Sequence, residues 1–428
     1  MKKRSEKVCF VTLGCKVNQY ESESIAKKLK DNGFEVVFGL GEADIYVLST
    51  CAVTNEAERK SRGTIAKILK LNNNARIYVC GCSAQNNPSS FSKFPNVVCV
   101  YGTGKKMDLA QIIIDDVSEK LVCSDIDQEY ADNFLALPSH TRAYVKIQDG
   151  CNNFCSYCII PYMRGRSRSR TIESIKNELD SLAKSAKEII FTGINTSAYG
   201  VDLSPNNDLT DIIRMARNYP FRFRFSSLEV NVITEKFLEE AKNTKNFCPH
   251  FHLSMQSGSD DVLRAMNRHY NSKLFLEKIA LIRRYFPNCA ITTDVIVGFP
   301  TETDKNFEET YATCKRADFA DMHIFPFSPR KNTVALNYKN VATNVNERVK
   351  RLTELKEQMK RQYLAECEGK EYFVLVEAKE SEKGYFEGHT ENYIKCYLKG
   401  NKAIKPNSVV KVQIIKPMKD GALAEITE

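Results

Sequence analysis

A change of rhythm constrains this chain more than any other feature. From Val8 to about residue 340, short apolar runs alternate with longer amphipathic stretches, whereas after Gly369 apolar runs follow one another with only turns between them. In the first part VCFVTL, FEVVF, DIYVLST and ARIYVCG are separated by helical patterns at residues 21–32 and 55–71. Parallel strands need a crossover of a dozen residues or more, so this alternation dictates an α/β fold with an open, mostly parallel sheet. The rhythm resumes with AYVKIQ, EIIFTG, FRFRFSSLE, FHLSMQ, AITTDVIVGF and ADMHIFPF, enough β-α units for a partial (β/α) barrel whose strand-end loops carry the chemistry. A helix at 346–367, with Val349, Leu352, Leu355, Met359 and Tyr363 on one stripe, closes that part. The tail, with YFVLVEA, NYIKCYL and SVVKVQII, reads as a small antiparallel β-barrel. The expected organisation is an N-terminal domain at 1–123, a linker at 124–136, a barrel with its trailing helix at 137–368, and the β-barrel at 369–428.

Fifteen cysteines in 428 residues demand an explanation. The N-terminus is basic but has no apolar core, because VCFVTL stops at Gly14, so it reads as uncleaved and the protein as cytoplasmic. No apolar run approaches the length of a membrane span. A reducing compartment argues against a disulfide framework and for metal or cluster ligation. The net charge of +9 permits a nucleic-acid partner without requiring one.

The sharpest motif is GCNNFCSYC, in which Cys151, Cys155 and Cys158 follow directly on a strand. A closed structural zinc site takes four ligands and only three are close by. Three thiolates on a four-iron cluster leave one iron open for another ligand. A second trio, Cys15, Cys51 and Cys82, stands just past three strands of the N-terminal sheet, where loops of an open α/β sheet converge. Cys80 competes with Cys82 in VCGCSAQ; Cys82 is preferred because it follows the glycine.

Cys-x-x-x-Cys-x-x-Cys with Tyr157 before the last cysteine resembles the cluster loop of radical S-adenosylmethionine enzymes, and with the N-terminal trio the whole chain resembles the methylthiotransferases. The resemblance implies an α/β domain with an auxiliary 4Fe-4S cluster on Cys15, Cys51 and Cys82. It further implies a radical barrel with a 4Fe-4S cluster on Cys151, Cys155 and Cys158, and a C-terminal barrel of the TRAM kind. S-adenosylmethionine would then lie against Tyr157, Gly193, Ile194, Asn195, Ser227, Glu229, Gln256, Val297 and Gly298. CKVNQ after Gly14, TCAVTNEAERKSR and HIFPFSPRKNT look like the branch that converts C2-H to C2-SCH3 on N6-threonylcarbamoyladenosine beside the tRNA anticodon. Within the family the alternatives are isopentenyladenosine or a ribosomal-protein aspartate; outside it, a non-catalytic RNA-binding protein with structural metal. The resemblance also implies an external electron donor of the flavodoxin or ferredoxin type.

Arg164, Arg166, Arg168 and Arg170 follow the cysteine loop at every second residue. They read either as a solvated charge run or as an extended edge matched to phosphates. The aromatic and lysine-rich tail favours the second reading, with Arg330 as a further RNA contact. His250, His252, His269 and His323 read as structural, because the sequence places no carboxylate partner beside them.

Overall fold

The computed structural model describes residues 6–104, 106–117, 121–123, 126, 129–130, 136–380, 384–399 and 404–427. Most of the expected linker at 124–136 therefore lies outside the described residues.

Strands Lys7–Thr12, Glu35–Phe38, Ile45–Thr50, Arg76–Gly81, Val97–Tyr101 and Leu121–Cys123 form one parallel six-stranded sheet in the order 2-1-3-4-5-6. Both faces are covered, which is why YVLST and IYVCG are buried along their whole length rather than alternating. The order reverses between the first and third strands, and that switch point opens a crevice at the strands' carboxyl ends. Cys15 and Cys51 leave those two strands, and Cys82 leaves the adjacent fourth.

The central part is two parallel sheets joined edge to edge. Arg222–Phe225, Glu188–Thr192 and Ala143–Lys146 make the first; Ser227–Leu228, His250–Gln256, Ala290–Val297 and Asp321–Pro326 make the second. Only Ser226 separates Phe225 from Ser227, so one interrupted strand links the sheets into the expected partial barrel. Its core runs from Val145 and Phe191 through Phe223 and Leu253 to Met322. The helix Val345–Glu366 closes the barrel with Leu352, Leu355 and Met359 buried.

The strands Glu371–Glu380, Tyr385–His389, Lys395–Lys399, Val409–Met418 and Gly421–Ile426 form a closed barrel. It docks on the central one through Arg222, which donates to the carbonyls of Phe373 at 2.6 Å and His389 at 2.8 Å. Tyr372 and Tyr397 are core, whereas Phe373 is 52% exposed.

Candidate functional site

Left-handed glycines precede Cys15, Cys82 and Cys151, whereas Cys51 follows directly on its strand after Thr50. Gly81 has φ +98°, and a Cβ there would stand 2.5 Å from the Thr50 carbonyl oxygen. Only glycine lets the chain turn off the sheet so that Cys82 reaches the crevice while Cys80 stays inside. Cys80 is accordingly packed with Val8 and Tyr101 in the sheet core. Gly150 has φ +69° and would place a Cβ 1.9 Å from the Arg166 carbonyl oxygen, so the cysteine loop folds against the segment that follows it.

Six thiols line one chamber of about 330 Å³: Cys15, Cys51 and Cys82 from the N-terminal sheet, and Cys151, Cys155 and Cys158 from the barrel. Burial pushes the Cys51 and Cys158 thiols up to about 12, and neighbouring sulfurs of the same trio push in the same direction. Those two thiols are protonated at neutral pH, so binding a metal centre must expel their protons. Among the described residues neither trio has its sulfurs all within 4.8 Å of one another. One zinc ion, with thiolates about 2.3 Å away, would draw them to roughly 4 Å apart. Three thiols with no fourth ligand fit three corners of a 4Fe-4S cluster with one iron left open.

Each trio is touched by an arginine. Arg164 Nε donates to Cys82 Sγ at 3.4 Å, and Arg268 Nη1 donates to Cys155 Sγ at 3.4 Å. Arg268 also pairs with Glu229 at 3.1 Å, and Asn153 Nδ2 donates to the same carboxylate at 2.7 Å. Asn195 reaches Cys151 Sγ at 3.9 Å, and its backbone N–H donates to Gln148 Oε1 at 2.8 Å. Gln256, beside a register shift in its strand, holds a left-handed φ of +65°, the kind of local strain that collects at functional sites.

Of the expected cofactor contacts, Tyr157, Gly193, Ile194, Asn195, Ser227, Glu229 and Gln256 line the chamber. Val297 and Gly298 do not: Val297 is buried in the barrel core, and Gly298 is packed beneath Val345 and bonded to Glu302. Arg268, Asn153 and Gln148 escaped sequence reading because each works through a partner distant in the chain.

The arginine reading needs correction. Arg164, Arg168 and Arg170 are buried, not lined along an edge. Arg164 binds Glu21 at 2.8 Å and Asp149 at 3.1 Å, Arg168 reaches Asp149 at 3.3 Å, and Arg170 pairs with Glu178. Arg330 is 3% exposed and clamps Glu58 at 2.6 Å and Asn55 at 2.7 Å, tying the barrel to the N-terminal sheet. Only Arg166 is exposed, its guanidinium 4.6 Å from the Phe154 ring centre. The histidine reading also changes, because the adjacent strand supplies the carboxylate partner: His252 Nε2 lies 3.2 Å from Asp294 Oδ2.

A parallel partial barrel with a three-cysteine loop at its mouth defines the radical S-adenosylmethionine class. The Radical SAM superfamily matches residues 145–314, and Uncharacterized protein family UPF0004 matches residues 7–102. The fold is similar to the radical methyltransferase TsrM from Kitasatospora setae, with a TM-score of 0.55 at 14% identity over 75% of this chain and 73% of that one. Threonylcarbamoyladenosine tRNA methylthiotransferase MtaB of Bacillus subtilis is 36% identical over 98% of this chain and 97% of its own length. The Thermotoga maritima protein of the same name is 37% identical, covering 93% and 92%. The tRNA-2-methylthio-N(6)-dimethylallyladenosine synthase of Petrotoga mobilis is 34% identical, covering 95% and 96%. The chain belongs to the radical S-adenosylmethionine tRNA methylthiotransferases, enzymes whose cofactors are two 4Fe-4S clusters and S-adenosylmethionine. Among the described residues no helix is long and apolar enough to cross a membrane.

Proposed function

We propose that this enzyme converts the C2-H bond of N6-threonylcarbamoyladenosine, beside the anticodon of tRNA, to C2-SCH3. The single observation that carries the reading is that two cysteine trios from different domains face one chamber. In this reading Cys151, Cys155 and Cys158 hold the radical cluster, and Cys15, Cys51 and Cys82 hold the auxiliary one. When bound, these groups supply a hydrogen-abstracting adenosyl radical on one side and a methyl-bearing sulfur on the other. The protein's own part is placement. Glu229, fixed by Arg268 and Asn153, suits the ammonium of S-adenosylmethionine, and Asn195 and Gln256 suit its polar groups. Arg268 and Arg164 place positive charge beside one sulfur of each trio.

The tRNA anticodon loop would approach across the C-terminal barrel, with Phe373 and Arg166 as exposed contacts, and a flavodoxin- or ferredoxin-type protein would deliver electrons. The names of the most similar relatives support the threonylcarbamoyl substrate. Mass analysis of tRNA nucleosides from cells with and without the gene tests it. The 2-methylthio threonylcarbamoyl nucleoside should vanish in the deletion and return with the wild-type gene; loss of the dimethylallyl counterpart instead would move the enzyme to the other branch.

A further inference from the structure

A second cavity, of about 460 Å³, adjoins the cysteine chamber. It is the barrel lumen, walled by Arg224, His250, His252, Thr292 and His323 and by Tyr393 from the C-terminal barrel. Lys16, Ser226 and Ser227 line both volumes and therefore mark where they meet.

The lumen is polar, and its charges are unevenly satisfied. Arg224 sits on Glu188 at 2.8 Å, Lys360 on Asp321 at 2.8 Å and Lys395 on Asp420 at 3.2 Å. Among the described residues Lys16 is the one lysine or arginine of this lining with no carboxylate in ion-pair range. It is also the first residue of the helix Lys16–Asp31, where the helix dipole disfavours a cation. Lys16 is exposed, so its ammonium is open to a ligand that enters from the chamber.

Other polar groups of the lumen are also left open. His250 stacks on Tyr393 at 4.6 Å between ring centres; burial, with the charges of Arg224, His252 and Lys16, holds its imidazole well below the usual range and so neutral. Arg224 Nη1 and His250 Nδ1 are buried without a hydrogen-bond partner among the described residues. His252, Asp294 and His323 bring donor atoms within 4.8 Å of one another, the span of a single-cation site. Asp294 makes the trio itself carboxylate-bearing, so an entering anion is met by Lys16 at the junction and not by the trio.

We propose that the lumen receives the N6 substituent of the substrate adenine, and that Lys16 selects a carboxylate-bearing substituent over an apolar one. This rests on the substrate reading above. Lys16 stands beside Cys15, so a carboxylate held there fixes the substituent close to the sulfur-bearing side of the chamber while the base faces the radical side. A site built around a polar group discriminates strongly against an analogue that lacks it, because its own groups are then left unpaired.

The test is a cycle between enzyme and substrate. Anaerobic kcat/KM is measured for wild type, Lys16→Gln and Lys16→Arg on two anticodon-stem RNAs, one with threonylcarbamoyladenosine and one with the threonine carboxylate replaced by carboxamide. Wild type should lose about 10- to 100-fold on passing to the carboxamide. Lys16→Gln should lose a similar factor on the acid RNA with no further penalty on the carboxamide, and Lys16→Arg should recover most of the loss. Iron content checks that Cys15 still ligates, and equilibrium binding of the same RNAs gives the cycle without turnover. Equal carboxamide sensitivity in wild type and Lys16→Gln would overturn the role of Lys16. A wild type that modifies neither RNA would overturn the substrate reading itself.

Discussion

Arg164 offers the most demanding test of how the two cysteine-bearing domains are held. Its guanidinium is fully buried and donates to Glu21 at 2.8 and 3.0 Å, Asp149 at 3.1 and 3.2 Å, Asn18 at 2.8 Å and Cys82 Sγ at 3.4 Å. Glu21 and Asn18 belong to the N-terminal helix Lys16–Asp31 and Asp149 to the barrel, so one side chain spans the interface. Breaking a buried pair costs about 3–5 kcal/mol when a charge is left uncompensated. Here Lys106 and Lys146 remain on Glu21, and Lys146 and Arg168 on Asp149, which points to the lower end. For Arg164→Met a loss of about 3 kcal/mol corresponds to roughly a 100-fold fall in protection against local opening. Amide hydrogen exchange of the helix Lys16–Asp31 in the cluster-loaded enzyme measures it. The pH dependence supplies a second check. Burial opposes ionisation of Glu21, but Arg164, Lys106 and Lys146 outweigh it and hold the carboxyl well below its usual range. A depressed carboxylate contributes stability above its unfolded pKa of about 4.3 and loses it as pH falls, so wild type should open increasingly below about pH 4 and Arg164→Met less steeply. A fall in protection of under about threefold, with iron content unchanged, would refute this account.

Further expectations concern other sites. Cys82→Ala should halve the iron content and Cys80→Ala should leave it intact; the reverse pattern in anaerobic iron analysis would reassign the third auxiliary ligand. Glu188 is buried, yet Arg224, Arg222 and Arg142 lower its pKa to about 2, so ionised Glu188 should contribute about 3 kcal/mol that is lost between roughly pH 5 and 2. Denaturation of Glu188→Gln across that range should show a flatter acid limb than wild type. Arg268→Gln removes a positive charge from beside Cys155, so the radical cluster should become harder to reduce, read as a more negative midpoint potential; an unchanged potential would assign Arg268 to Glu229 alone. Arg166→Ala should weaken RNA binding and lower its salt dependence by about one counterion, without the folding loss expected of Arg168→Ala.

What the sequence revealed and what it hid divide along a physical line. The helix at Asn55–Leu71, read as polar, has its expected bounds; Thr54 caps its start and Ile65 and Ile68 bury its second half. The trailing helix fell one residue from its expected bounds, and Cys15, Cys82 and Cys151 were legible because a strand and a glycine precede each one. The arginine run misled for the converse reason. Alternation at every second residue implies an exposed extended edge, but Arg164 ends the short helix Ile160–Arg164, and only Arg168–Ser169 is paired as a strand. The carboxylates that bury the arginines come from elsewhere: Glu21 lies 143 residues from Arg164. The same distance hid Arg268 on Cys155 and Asp294 beside His252, since ion pairs between elements leave no periodic trace. Val297 and Gly298 stand off the chamber because a strand end can supply packing as readily as a lining residue.

The buried charges around Arg164 and the Arg330 clamp bear on how such proteins can be rebuilt. By its cores the chain divides into parts that invite recombination with those of a relative. An exchanged N-terminal domain would bring its own residues to meet Asp149, Lys146 and Arg168, and a mismatch would strand a charge in a dry interface beside the auxiliary cysteines. Chimeras should therefore fail when the join falls near residue 124, whereas a join after residue 369 has to keep partners for Arg222, Arg142 and His250. The modular unit is the pair of cysteine-bearing domains, inherited together.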